Sequence, residues 1–164
     1  MSGEVNFEDF SEEVKAKLKQ AGIGWLYAAA GELEAQVIRN TKAGKVAGGK
    51  TKQSWKTVVE EGEYKATIGN TEQTAIWLEF GTGDHALNGD GRKGGWYILI
   101  GDGEGQISQD VVDAYHFEEA YGEEGRKYAF TTGIKPQRPL HEAFKSKESK
   151  IKKLLKEKLK GLGD

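Results

Sequence analysis

Residues 76–105 read IWLEFGTGDHALNGDGRKGGWYILIGDGEG, two apolar pentads around a loop made mostly of Gly, Asp and Asn. The second pentad is a continuous apolar run, and its members are Trp96, Tyr97, Ile98, Leu99 and Ile100. Such a run suits a strand buried on both faces, or one that a neighbouring subunit completes. Residues 81–105, which include the Gly-rich insertion loop 81–95, contain nine glycines and are costly to order in a lone subunit, so we expect neighbouring subunits to order them.

The composition indicates one folded domain over residues 1–164. Apolar residues make up 37% of the chain, and its aromatic residues are too many for a disordered segment. No window approaches the apolar run of about 20 residues that crosses a bilayer, and the acidic start MSGEVNFEDF does not resemble a secretion signal. We therefore expect a cytosolic protein with no membrane partner. The absence of Cys excludes disulfides and thiolate zinc sites.

The net charge of −2 conceals a strong division along the chain. Residues 101–125 hold eight acidic side chains and no Lys or Arg, whereas residues 126–160 hold twelve basic side chains against three acidic ones. The acidic surface of one subunit could attract the basic surface of the next, or the two could be paired within one chain. The sequence leaves both alternatives open.

The N-terminal part of the chain predicts a pair of helices. Apolar side chains recur at helical spacing through residues 1–22, and a break at Gly22-Ile23-Gly24 separates this helix from a second one that ends near Asn40. Residues 41–53 are basic, Gly-rich and without an apolar period, which indicates a mobile loop.

From Ser54 the apolar period changes to two, which predicts a β-hairpin with its turn at residues 61–63. Residues 71–80 predict a short helix capped by Asn70. The side chains expected to anchor this helix are Ile76, Trp77 and Phe80.

The C-terminal half adds an ambiguous segment, a strand and a helix. Residues 107–121 fit a helix or a strand, residues 128–132 predict a strand, and residues 139–160 predict a Lys-rich helix. The expected fold is α+β, an antiparallel β-sheet packed against an N-terminal helix pair and a C-terminal helix, with long Gly-rich loops.

One stretch satisfies a nucleotide-binding pattern. Gly44 to Thr51, GKVAGGKT, matches the phosphate-binding loop in full. That loop requires a buried strand before it and a helix after it, so that amides and a helix dipole converge on phosphate. Here the order is reversed, so we favour a mobile basic loop and keep a P-loop-like nucleotide hydrolase as an alternative.

Oxygen ligands for a metal occur in and beside the Gly-rich loop, but their spacing misses the calcium-binding register. They are Asp84, His85, Asn88, Asp90 and Asp102. His116 and His141 lack spaced partners. We therefore predict no catalytic residue, no cofactor and no metal site.

Glu79 lies within the apolar sequence Trp77-Leu78-Glu79-Phe80. A carboxylate there is costly to bury unless it is hydrogen-bonded. The amides of Gly81, Thr82 and Gly83 are within reach along the chain, and we predict that Glu79 anchors the start of the loop through them.

The Lys-rich end, residues 145–160, could bind nucleic acid, because clustered lysines release counterions from phosphates. No aromatic residues interleave with these lysines to stack on bases. A basic outer face on a packed helix is the favoured interpretation, and a nucleic-acid-binding module is the second alternative.

Two segments together resemble one phage family. LEFGTG at residues 78–83 and FTTGIKPQRPL at residues 130–140 are similar to the signature segments of the phage HK97 gene-product-10-like tail components, also called tail-completion or head-tail joining proteins. The chain departs from the family after Asn40, where it keeps Gly49 and Ser54 but lacks the usual Pro, Asp and Leu.

The resemblance implies a non-enzymatic α+β subunit that assembles as a ring, expected to be a hexamer, at the neck between the tail tube and the head or collar. Its implied partners are sister copies, tail-tube, tail-terminator and head or collar proteins, with DNA passing through the lumen. The location would be the tail neck of the virion, after assembly in the host cytoplasm, and a headless contractile particle could use the same part. The residues expected to position the last helix are Thr132, Gly133, Pro136, Arg138 and Pro139, and residues 96–100 are the expected sheet or subunit contact.

Overall fold

The computed structural model describes residues 9–42 and 49–160. It combines helices and antiparallel strands, which confirms the mixed helix-and-sheet class. The helices are α1 (Ser11–Asn40), α2 (Lys50–Gln53), α3 (Gln73–Phe80), α4 (Gln109–Tyr115) and α5 (Pro139–Lys160). The strands are β1 (Trp55–Glu60), β2 (Lys65–Asn70), β3 (Trp96–Leu99), β4 (Glu118–Tyr121) and β5 (Lys127–Thr131). Residues 1–8 and 43–48, where the first helix was expected to begin and where most of the basic loop falls, lie outside this description.

Helix α1 is one continuous helix of 30 residues, so the predicted helix pair is wrong. Gly22 and Gly24 lie inside it and do not break it. A β-carbon at Gly22 would lie 3.9 Å from the Tyr64 ring, and one at Gly24 would lie 3.7 Å from Lys158 Nζ. Both glycines therefore face packed neighbours, and tertiary packing outweighs their low helix propensity of about 1 kcal/mol each.

Helix α5 runs antiparallel to α1 along most of its length. Asn40 Nδ2 donates to Pro139 O at 3.0 Å at one end, and Trp25 Nε1 donates to Ile151 O at 3.0 Å further along. Between them Glu32 accepts from Lys150 and Lys147, which lowers the pKa of its carboxyl group. The predicted C-terminal helix is thus confirmed, and it packs along α1.

The strands form two separate sheets rather than the single sheet expected. β1 and β2 form the predicted hairpin, in which Thr57 pairs with Ile68, and the other three strands form a sheet of order β3-β5-β4. The hairpin packs its inner face on α1. The core lies between α1, the hairpin, α3 and the start of α5, and comprises Val37, Trp55, Ala75 and Ala143, with Ile38, Ile68 and Leu140 packed against it.

The ambiguous segment divides into helix α4 and strand β4, because His116 adopts φ +54° and ends the helix. Gln109 of α4 donates to Glu119 of β4 at 2.9 Å, which places α4 on the sheet face that carries Ala129. Val112 and Ala129 are buried on this covered face. Tyr97 belongs to the opposite face, because side chains alternate along a strand.

Helix α3 buries a different side from the one predicted. Ala75 faces the core, whereas Ile76, Trp77 and Phe80 are exposed by 60%, 40% and 46%, so their predicted anchoring role is wrong. Asn70 does not cap the first helical turn, because its side chain accepts the amide of Glu72, one residue before the helix. A short helix against one other helix can cover only one narrow side, and α3 has more apolar residues than that side holds.

We expect Gly22→Ala and Gly24→Ala each to raise the free energy of unfolding by about 0.5–1 kcal/mol, because both glycines are helical and a methyl group meets only ordinary contacts. Urea denaturation measures the change. Gly31→Ala is the control, because Gly31 lies in the same helix with open space around it, and its effect gives the gain in stability expected from helix propensity alone. If α1 were broken at Gly22–Gly24, Gly22→Ala and Gly24→Ala would destabilise the protein and only Gly31→Ala would stabilise it.

Candidate functional site

The two segments that carry the family resemblance cross in the structure. Thr82 N–H donates to Ile134 O at 3.0 Å, and Ile134 N–H donates back to Thr82 Oγ1 at 3.0 Å. Asp84 N–H donates to Thr132 O at 2.9 Å. The end of α3 is thereby joined to the connection between β5 and α5. Thr82 and Ile134 lie 52 positions apart in the sequence.

Glu79 caps the N-terminus of α5. Its carboxylate accepts the amides of Leu140 at 2.8 Å and His141 at 3.0 Å. Pro139 opens the helix without an N–H to satisfy, and the Glu142 amide makes the first intrahelical bond. The two free amides of the first helical turn, those of Leu140 and His141, are thus both bound by Glu79, and the negative charge lies at the positive end of the helix dipole.

This arrangement corrects the predicted partners of Glu79. A hydrogen-bonded carboxylate was expected, but Gly81 donates instead to Trp77 O at 2.8 Å and Thr82 to Ile134 O. Among residues 9–42 and 49–160, the hydrogen bonds of Glu79 go to α5. The sequence supplied the signal that Glu79 needs a partner, whereas the identity of that partner depends on a residue 61 positions away.

The connection before α5 is held by one carbonyl of α3. Leu78 O accepts the amides of Gln137 at 2.7 Å and Arg138 at 3.0 Å. Arg138 adopts φ +53°, a conformation that costs energy for a residue with a β-carbon. This strained residue directs the chain into the buried Pro139 at the helix start.

Three glycines permit the crossing. A β-carbon at Gly83 would lie 2.2 Å from Thr132 O, and one at Gly133 would lie 2.1 Å from Thr82 O. At Gly81 it would lie 2.6 Å from His85 O and 2.9 Å from Pro136 Cδ. All three have positive φ, so steric and conformational demands both require glycine.

The Gly-rich loop makes hydrogen bonds within the chain at both of its ends. His85 N–H donates to Thr82 O at 3.1 Å, Leu87 N–H donates to Phe80 O at 2.9 Å, and Gly94 N–H donates to Asp84 Oδ1 at 3.2 Å. These bonds lie within one copy, and the expectation that sister subunits order this loop stays a prediction.

Strand β3 is an outer strand and is not buried on both faces. Among the described residues β5 is the one strand that pairs with it, although Leu99 O also accepts the Ile107 amide at 3.0 Å, and the pentad from Trp96 to Ile100 has no fully buried member. Tyr97 is exposed by 61% and contacts the Phe130 ring at a centroid distance of 5.1 Å. The interpretation of this pentad as a strand buried on both faces is therefore wrong.

A second exposed apolar surface lies on α3 and was missed from the sequence. It consists of Ile76, Trp77, Phe80 and Leu87, the last exposed by 48% and hydrogen-bonded through its amide to Phe80 O. We call these four residues the α3 patch. Apolar residues gathered on the outside of a small protein mark an interaction surface.

The phosphate-loop match has no supporting context in the described part of the chain. The element before it is helix α1, and the helix after it is the single turn α2. Lys50 Nζ lies 3.2 Å from Glu72 Oε2, and the Thr51 hydroxyl is hydrogen-bonded to that of Thr74. The two side chains that would contact phosphate and magnesium are therefore engaged with neighbouring residues.

No group of three or more metal-ligating side chains occurs among residues 9–42 and 49–160. Within the same ranges no helix is both long enough and apolar enough to span a bilayer. The two surfaces and the crossing remain the candidate functional features.

Glu79→Ala should lower the free energy of unfolding by about 1 kcal/mol, because two amides at the start of α5 lose their acceptor. Glu79→Gln should lower it by less, since one oxygen acceptor remains. Urea denaturation is the measurement, and Glu157→Gln near the other end of α5 is the control. Equal effects of Glu79→Ala and the control would contradict the cap.

Gly83→Ala and Gly133→Ala should each lower the free energy of unfolding by at least about 2 kcal/mol, because the added methyl group clashes with backbone at a positive φ. Gly62→Ala, which meets no atom within 4 Å, is the matched control. If all three variants unfold at the same urea concentration, the close crossing does not exist in solution.

Comparison with known families agrees with the motifs. Residues 6–81 match the family model described as "Bacteriophage HK97-gp10, putative tail-component", and this match includes the start of the first motif segment. No curated protein and no solved structure matches the chain significantly. Over residues 6–81 the chain is therefore similar to the HK97-gp10-like family of phage tail components, which is the family that the motif segments resemble.

Proposed function

We propose that this protein is a structural component of a phage or prophage tail neck. Sister copies assemble as a ring, expected to be a hexamer, at the end of the tail tube, and the ring completes the tail or joins it to the head or collar. The family match supports a role as a structural component of a phage tail. The position at the neck and the assembly into a ring go beyond the family match and are our proposal.

The uncovered strand β3 carries the proposal of assembly. The part of its outer edge at Tyr97 faces no other described strand, whereas Leu99 O accepts the Ile107 amide at 3.0 Å, and the exposed face of the strand presents Tyr97. Soluble monomers protect such edges with charge, proline or a covering element, because an open edge pairs with other chains. The β3 segment has no charged residue and no proline, which favours pairing with a sister copy.

The motif crossing serves this role by holding the contact surfaces in fixed positions. In the proposal Glu79, Gly81, Thr82 and Gly83 anchor the loop start, and residues 96–100 are the subunit contact. The residues that position α5 are Thr132, Gly133, Pro136, Arg138 and Pro139. Backbone hydrogen bonds between the two segments join α3 to the chain that follows β5, and β3 pairs with β5, so α3 and β3 are held in one arrangement, as an interface that must match a partner requires.

The proposal places the protein in the virion, after assembly in the host cytoplasm. Its other partners are tail-tube, tail-terminator and head or collar proteins, and DNA passes through the ring. The role needs no catalysis and no cofactor. A headless contractile particle would use the same contacts.

We expect purified protein to form ring-shaped oligomers, and Tyr97→Lys and Ile76→Lys to reduce the oligomer fraction at least about tenfold, because each places a charge within an apolar contact. Val58→Lys is the matched control, since the three side chains are exposed by 61%, 60% and 59%. Light scattering gives the mass and negative-stain electron microscopy gives the shape.

A parent protein that stays monomeric, alone and with the tail-tube protein, would contradict the ring. If Val58→Lys weakens assembly as much as Tyr97→Lys does, the contact is not at β3.

A further inference from the structure

An open apolar groove of about 770 Å³ lies between α1, the hairpin and α5. Its apolar lining includes Leu26, Leu33, Ile68, Phe144, Ile151 and Leu155. Phe144 is exposed by 47%, so the groove is not filled by the chain's own described side chains. The two-stranded hairpin is too narrow to cover both long helices, which leaves this space open.

The α5 side of the groove is basic. Lys145 and Lys152 line the groove together with Glu148, and Lys153 and Lys156 lie beside them on the adjoining surface of α5. Lys145 and Lys156 make no ion pair within the described part of the chain, whereas Lys152 pairs with Glu148. An apolar floor with a positive rim favours an occupant with exposed aromatic rings and negative charge.

Residues 101–125 have these properties, and we call them the acidic lobe. In the described structure only Glu119 and Glu124 of the lobe form ion pairs, with Lys127 and Arg126. Asp110 and Glu118 are exposed without such a pair. The lobe also exposes Tyr115 by 50% and Tyr121 by 71%.

Within the described ranges, the acidic and basic halves of the sequence are paired within one chain only at their boundary, where Glu124 and Glu119 meet Arg126 and Lys127. Among the described residues, the ion pairs that join α5 lysines to another element go to Glu32 of α1, and none goes to the acidic lobe. Both halves of the division remain available on the surface. Of the two alternatives that the sequence left open, the structure favours attraction between copies.

We infer that the acidic lobe of one copy docks on the basic-rimmed groove of the next copy. The tyrosines enter the apolar groove, and the lobe carboxylates face the lysines of α5. The contact joins two different surfaces, so each copy offers one lobe and one groove, and repetition closes a ring or extends a filament. The inference rests on the proposed ring and adds a second contact between copies beside the proposed contact at β3.

The test exchanges charges across the proposed contact. A groove variant carries Lys145→Glu and Lys152→Glu, and a lobe variant carries Asp110→Lys and Glu118→Lys. All four side chains belong to exposed residues, so the fold should tolerate them, and circular dichroism checks this. A control variant with Lys19→Glu and Lys56→Glu has the same net charge as the groove variant, with both changes outside the contact.

Sedimentation at about 0.1 M salt should show each exchanged variant associating at least about tenfold more weakly than the parent and the control. A one-to-one mixture of the groove and lobe variants should regain association, because each reversed surface then meets its complement. Parent association should weaken as salt rises.

Three outcomes separate this inference from the proposed function. If the parent forms rings and the groove variant forms them equally well, the lobe-to-groove contact is wrong and the ring stands. If that variant forms rings but no longer binds the tail-tube protein, the groove's occupant is that partner and the inference is also wrong. A parent that never associates overturns the ring itself.

Discussion

The cap that Glu79 places on helix α5 is the constraint on which the rest of the structure depends. The carboxylate binds the amides of Leu140 and His141, and the adjacent Leu78 carbonyl binds the two amides that precede the helix. These four bonds set where α5 begins and which way it points. Once its start is fixed, Ala143 enters the core and the lysines further along reach Glu32 on α1.

The crossing beneath this cap is made mostly by backbone. Gly81, Gly83 and Gly133 allow two chain segments to approach more closely than any side chain would permit. Because these contacts use backbone atoms, they do not bury the neighbouring side chains. The side chains of the α3 patch and of the exposed face of β3 therefore remain on the surface. A structural subunit gains from this arrangement, because a rigid junction can carry surfaces that only a partner covers.

The two halves of the molecule differ in charge and are joined by the crossing. The three-stranded sheet and α4 carry the acidic lobe, while α1, the hairpin and α5 form the groove with its basic rim. Two unlike surfaces on each copy are what a heterologous contact between identical copies requires.

The sequence by itself determined the features that depend on local periodicity and on chemical need. The alternation after Ser54 predicted the hairpin, the apolar and Lys-rich period near the C-terminus predicted its helix, and the position of Glu79 among apolar residues predicted a hydrogen-bonded carboxylate. The two motif segments also indicated the family whose model matches residues 6–81.

Only the tertiary structure decided which side of α3 is buried, whether α1 continues through Gly22 and Gly24, how the strands divide into two sheets, and which amides Glu79 binds. Helix propensity is worth only about 1 kcal/mol per glycine, so packing of α5 against α1 outweighs it. The partner of Glu79 lies 61 residues away, beyond the reach of any local period. Long-range packing, which no short stretch of sequence encodes, therefore chose the partners, while local chemistry determined only that partners were needed.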